Sequence, residues 1–267
     1  MYRGFSLTAL GDSHKESASV CQDSADCLIA DDFAVAAVAD GHGGENYFRS
    51  DVGSRLAVEA ALLKFLEIFR NHRCCFESPR ARERNIRQLA GSILFHWRGE
   101  VGLHYGQNPL NGREEEICRA NNIDPKDPKK LESFYGTTLI AAVMAWDFAL
   151  ALQIGDGACV FITEGRPGIP VPPDDRLHFG LTTSLCDSEA IDNFRHVFLD
   201  KPPEAVFLST DGFVDSYGTD FLKMAREICH KMSGDHEKTQ KELQDWLPVV
   251  SERGSRDDMG LAGIYHK

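Results

Sequence analysis

The chain has 267 residues, 42% of them apolar and 26% charged, which is the length and balance of a globular protein with a full core. Asp and Glu outnumber Lys and Arg by 41 to 29, a formal charge of −12, and no basic run offsets it. This excludes nucleic acid as the main partner. No run approaches the ~18 apolar residues of a membrane span, and Met1 to Phe5 shows no secretory pattern. The eight cysteines form no Cys-x-x-Cys pair, and adjacent Cys74-Cys75 is not a metal-ligand spacing, so reduced thiols and a cytoplasmic location are expected.

Phe5 to Leu10 reads as a first strand. Ala25 to Ile29 and Phe33 to Ala39 read as a hairpin turned by Asp31-Asp32. After Gly44, the residues Phe48, Val52, Leu56, Ala60 and Leu63 recur at helical spacing and mark the apolar face of a long helix. A second helix is expected over Ala81 to His104, facing inward with Ile86, Leu89, Ile93, Trp97 and Val101. Residues 106–133 are polar and turn-rich, with Asn108-Pro109, Asn111-Gly112, Asp124-Pro125 and Asp127-Pro128. They read as a loop insertion with one helical turn near Arg113 to Ala120.

Thr137 to Ala145, Ala149 to Ile154 and Ala158 to Thr163 read as consecutive strands, with turns at Trp146-Asp147 and Gly155-Asp156-Gly157. Gly165 to Pro173 is a proline-rich loop. Arg195 to Leu199 and Ala205 to Ser209 are further strands, Phe221 to Met232 and Lys238 to Trp246 short helices, and Met259 to Tyr265 a closing strand. Strands and helices are segregated rather than alternating, which predicts an α+β layered fold in a single domain, 1–267.

Three strand-like runs end in a carboxylate backed by glycine: Asp40-Gly41, Asp156-Gly157 and Asp211-Gly212. Asp23 and the pair Asp257-Asp258 complete an acidic set. Oxygen donors of this kind suit magnesium or manganese. A carboxylate shared by two ions lets them sit about 4 Å apart with a water between them. No Gly-x-Ser-x-Gly elbow surrounds Ser24 or Ser209, so neither reads as a nucleophile.

In order, Cys21-Gln22-Asp23-Ser24, Val38 to Gly44 with its Asp40-Gly41-His42-Gly43-Gly44, Tyr135-Gly136-Thr137-Thr138-Leu139, Ile154-Gly155-Asp156-Gly157, Leu208 to Phe213 and Arg253 to Met259 resemble the motifs of the PPM-type, or protein phosphatase 2C, metal-dependent phosphatases. The resemblance runs from about Gly4 to Tyr265. It implies a four-layer α/β/β/α sandwich, two antiparallel sheets flanked by helix pairs, with metals at one end. It implies hydrolysis of phosphoserine or phosphothreonine in proteins, targets of a Ser/Thr kinase, by water activated between two Mn²⁺ or Mg²⁺ ions. By the same resemblance Asp40 bridges the ions, Gly41 adds its carbonyl, and Asp211 and Asp257 complete one ion. Asp23 holds waters, Asp156 shares a third ion with Asp211, and His42 is the general acid, with Gln22 and Asp258 standing behind these residues.

Two positions depart from the family pattern. Gln22 stands where many members have glutamate. Ala18 stands where eukaryotic members have the arginine that grips phosphate, with His14 and Lys15 as candidate substitutes. Residues 177–200 fall where the family has a variable flap. The rival readings are a non-catalytic phosphoprotein-binding module of the same fold and a phosphatase of small metabolites.

Overall fold

The computed structural model describes residues 1–16, 20–71, 76, 78–174 and 182–267. Ala18, His72, Cys74, Cys75, His178 and residues 177–181 of the expected flap lie outside them. The strands are β1 (Tyr2–Ala9), β2 (Ser24–Ile29), β3 (Phe33–Ala39), β4 (Leu139–Ala145), β5 (Ala149–Ile154), β6 (Ala158–Thr163), β7 (Arg166–Gly168), β8 (Arg195–Leu199), β9 (Ala205–Ser209) and β10 (Met259–His266). The helices are α1 (Asp12–Glu16), α2 (Ser50–Asn71), α3 (Pro79–Gln107), α4 (Gly112–Ala120), α5 (Pro128–Phe134), α6 (Ala190–Asn193), α7 (Asp211–Tyr217), α8 (Phe221–Gly234) and α9 (His236–Arg253).

Two antiparallel five-stranded sheets result, in the orders β1-β10-β9-β6-β7 and β2-β3-β4-β5-β8. The central strands β3, β4, β5 and β9 are buried along their whole length because both their faces are covered. In β3, Phe33, Val35, Ala37 and Ala39 pack with α2 and α3. The alternate residues Ala34, Ala36 and Val38 face the other sheet, against Val206, Leu208, Ala262 and Ile264. On the far side, Phe5, Val160, Phe207 and Leu261 meet α7, α8 and α9 through Phe213, Ile228 and Leu247. The four-layer sandwich read in the motifs is therefore the observed fold. Among the described residues, no helix is long and apolar enough to cross a membrane.

Several local expectations are corrected. Leu63 is not on the buried face of α2; it is exposed, while Leu62, Phe65 and Phe69 carry that face into the core. The insertion 106–133 is not mainly loop. Asn111 accepts from the Glu114 amide and the Glu114 side chain accepts from the Asn111 amide, a capping box that starts α4, and Pro128 opens α5. The turn read at Gly155-Asp156-Gly157 is present, and it carries the chain across the sandwich: β6 leaves the sheet of β5 and pairs with β9. The helix expected over Lys238 to Trp246 runs on through Pro248 to Arg253, because Leu247, Val250 and Ser251 remain buried. Arg166 to Gly168 forms a short edge strand within the proline-rich loop.

Candidate metal centre and active site

The ends of the central strands converge on one mouth of the sandwich. Asp40 follows β3, Asp156 lies between β5 and β6, Asp211 opens α7 after β9, and Asp257 precedes β10. Asp40, Asp156 and Asp211 each bring a ligand atom to within 4.8 Å of the others. They line a cavity of about 430 Å³ with His14, Gln22, Gly41, His42, Tyr47, Asp187 and Asp257.

The Asp40 main chain is fixed by the threonines after Gly136. Thr138 N–H donates to Asp40 O at 2.9 Å, Asp40 N–H donates to Thr138 Oγ1 at 3.0 Å, and Thr137 Oγ1 donates to Asp40 O at 2.9 Å. Gly41 sits where no side chain fits: a Cβ there would stand 2.6 Å from Ser50 O and 2.7 Å from Gln22 O. Asp258 ties the entry loop to the closing strand. Its Oδ1 accepts from Gly11 N–H and its Oδ2 from Gln22 N–H, both at 2.6 Å. His14 Nδ1 stands 3.0 Å from the same Oδ2. Asp23 is buried, and its Oδ2 accepts from Thr210 Oγ1 at 2.6 Å.

The electrostatics are those of like charges pressed together. Burial raises the Asp40 carboxyl well above its ordinary range, and Asp23, Asp211, Asp156 and Asp257 add repulsion. Asp23 is raised in the same way, against the Thr210 hydrogen bond. Asp211 is pushed up to about 6 by burial, then by Asp156, Asp257 and Asp215. Burial lowers the His42 imidazole, while Asp156 and Asp187 pull it the other way. Among the described residues, no lysine or arginine lines the cavity. An oxygen-rich donor set with unneutralised negative charge fits hard divalent ions.

The expected site residues are not all equally placed. Asp40, Gly41, His42, Asp156, Asp211 and Asp257 share the cavity, with Gln22, Asp258 and His14. Asp257 is exposed and lies outside the tight three-carboxylate group, while Asp23 lies behind the lining rather than in it. Lys15 is exposed and is not part of the lining. Gln22 turns its amide inward, with Nε2 donating to His42 O at 3.1 Å and to Ser50 Oγ.

Sequence reasoning missed Tyr47, Cys186 and Asp187, which form one wall of the cavity with Thr182 and Ser184. Asp187 Oδ2 accepts from Ser184 N–H at 2.9 Å and from Asn193 Nδ2 at 3.2 Å. Ser184 in turn bonds to Thr137, donating through Oγ to its carbonyl at 3.0 Å. These residues carry no motif of their own; only their proximity to Thr137 and Thr138 marks them.

The architecture has solved counterparts. PppA of Pseudomonas aeruginosa, described as a key regulatory component of T6SS, is 19% identical with a TM-score of 0.60, over 99% of this chain and 97% of that one. The Mycobacterium tuberculosis serine/threonine phosphatase PstP/Ppp is 12% identical with a TM-score of 0.60, over 100% and 99%. The catalytic domain of PstP in complex with two manganese ions is 13% identical with a TM-score of 0.59, over 99% and 97%. At these identities the likeness is one of fold. No curated protein sequence matches the chain. The sequence profile of protein phosphatase 2C, however, matches residues 10–248, which hold five of the six acidic and glycine motifs and the strands that bring them together. On that match the chain belongs to the protein phosphatase 2C family.

Proposed function

We propose that this single-domain chain is a manganese- or magnesium-dependent phosphatase that removes phosphate from serine and threonine in proteins. The observation that carries this reading is the meeting of Asp40, Asp156 and Asp211 at the strand ends, in a cavity with no lysine or arginine among its described residues. Asp40, the Gly41 carbonyl, Asp211 and Asp257 would hold two ions, with Asp23 reaching them through water. Asp156 with Asp211 would hold a third. When bound, such ions supply the charge that acidifies water and offsets the negative charge of a phosphoryl group in transfer.

The chain's own residues do the rest. The threonine bonds hold the Asp40 backbone at the mouth of the cavity before anything binds. The His42 imidazole stands at the cavity wall as proton donor to the departing alkoxide, and burial makes its protonated form a stronger acid. His14, anchored on Asp258, is the proposed contact to phosphate in place of the family's arginine. The Cys186 thiol is raised by burial and hydrogen-bonded to Ser184, so it is not primed as a nucleophile; water attacks and no phosphoenzyme forms.

The test is hydrolysis of a small aryl phosphate across a manganese titration. Wild type is expected to turn over, and Asp211→Ala to lose more than about a hundredfold in kcat/KM. A wild type inactive at every manganese concentration, yet binding a phosphothreonine peptide, would instead make the chain a phosphoprotein-binding module. Turnover of small phosphorylated metabolites above that of phosphothreonine peptides would place the substrate among the former.

A further inference from the structure

Arg49 is a buried cation that the proposed chemistry does not use. It closes the turn that carries His42 and is 7% exposed. A guanidinium has five N–H donors, and here each has an acceptor. Nε donates to Glu114 Oε1 at 2.9 Å, and Nη2 to Glu114 Oε2 at 2.8 Å and Pro109 O at 3.2 Å. Nη1 donates to Asn108 O and to Tyr135 Oη, both at 2.8 Å. Tyr135 Oη, which accepts from Arg49, is also hydrogen-bonded to His104 Nδ1 at 2.8 Å. Nothing is left over for a ligand, so the role of this network is mechanical.

Its product is a fixed relation between the turn 42–49 and the backbone 134–136. Arg49 N–H donates to Phe134 O at 2.9 Å, and His42 N–H donates to Gly136 O at 3.0 Å. Phe48 stacks on Phe134 with ring centroids 4.5 Å apart. Gly136 admits the two cavity rings at close range: a Cβ there would stand 2.7 Å from the Tyr47 ring and 2.8 Å from the His42 ring. Glu114, held by the capping box of α4, comes from the insertion 106–133.

We propose that Arg49 and Glu114 are positioning residues, which lock the insertion onto the turn 42–49 and so set where the His42 imidazole stands in the cavity. The consequence for rate rests on the phosphatase reading; the consequence for the turn does not. Removing one partner of a buried ion pair strands the other charge. Water must then reach Arg49, and the turn loosens where His42 is carried.

The experiment compares wild type with Glu114→Gln and Glu114→Asp in two readouts. The first is amide hydrogen exchange of the metal-free protein. In Glu114→Gln, exchange at 42–48 should rise by about tenfold or more while the β3 and β4 core amides stay protected. The second is hydrolysis of an aryl phosphate at saturating manganese: kcat should fall about tenfold with KM within twofold, and Glu114→Asp should recover part of it. Should Glu114→Gln fail to fold, the apolar pair Arg49→Met with Glu114→Leu should restore folding but not kcat. Unchanged exchange at 42–48, or a rise shared equally by the core amides, would overturn the proposal in favour of a plain stabilising ion pair. Local loosening with no hydrolysis in wild type would sustain the positioning role and sink the phosphatase reading instead.

Discussion

Asp40 and Arg49 stand at the two ends of one turn, the first half-buried and the second buried, and their charged surroundings are opposite. Around Asp40, carboxylates face carboxylates, and burial, then that repulsion, raises Asp40 and Asp211. Around Arg49 every donor has its acceptor, and the Glu114 carboxylate is held below its ordinary range by the guanidinium and the Asn111 amide, against its own burial. The first arrangement costs stability unless something cationic arrives; the second is complete without help. A buried charge left unbalanced marks a place of function, whereas a balanced one marks a brace.

That contrast is open to breaking. Its largest expected signature is in activity: Asp211→Ala should abolish manganese-dependent hydrolysis, while no comparable loss should follow from changes on the far side of the brace. Next comes stability. Glu114→Ala should destabilise the fold by about 3–5 kcal/mol in urea unfolding, because it strands Arg49. A loss under about 1 kcal/mol would mean that Arg49 finds water without difficulty. Gly136→Ala should cost about 1–3 kcal/mol, as a Cβ meets the rings of Tyr47 and His42, and should lower kcat along with it.

The pH dependence of the metal-free protein is the subtlest signature. Asp211 has a folded pKa near 6 against an ordinary 3.8. The folded state holds that proton more tightly than the unfolded one, so its contribution to stability is full below about 3.8 and is lost as pH rises through about 6. Asp23 and Asp40 are shifted the same way. The metal-free Tm should therefore fall between about pH 5 and pH 7, and Asp211→Asn should flatten the decline. A Tm that rises over that interval would show that the carboxylates are not in conflict.

The end of the sandwich that carries the site was legible early. Strand-end Asp-Gly pairs need no tertiary context to be noticed, and the uniformly apolar β3 and β4 announce strands buried on both faces. The brace was not legible. Glu114 lies in a stretch whose prolines and asparagines read as turns, although Asn111 three residues before it is a helix-start pattern. Its pairing with Arg49 spans 65 residues and exists only once Tyr135 brings the two together. The same limit applies at Asp156: the Gly-Asp-Gly turn is plain in the sequence, but that it carries the chain from one sheet to the other is not. Leu63 was misplaced because Leu56, Ala60 and Leu63 trace the edge of a buried arc whose middle runs through Ala57, Ala61 and Phe65.

The most direct test of the unbalanced site is the Tm of wild type and Asp40→Asn, each with and without manganese. The account predicts that manganese raises the wild-type Tm. It also predicts that Asp40→Asn has the higher Tm without metal and no longer responds to it. A wild type indifferent to manganese, with Asp40→Asn less stable than wild type in its absence, would contradict it.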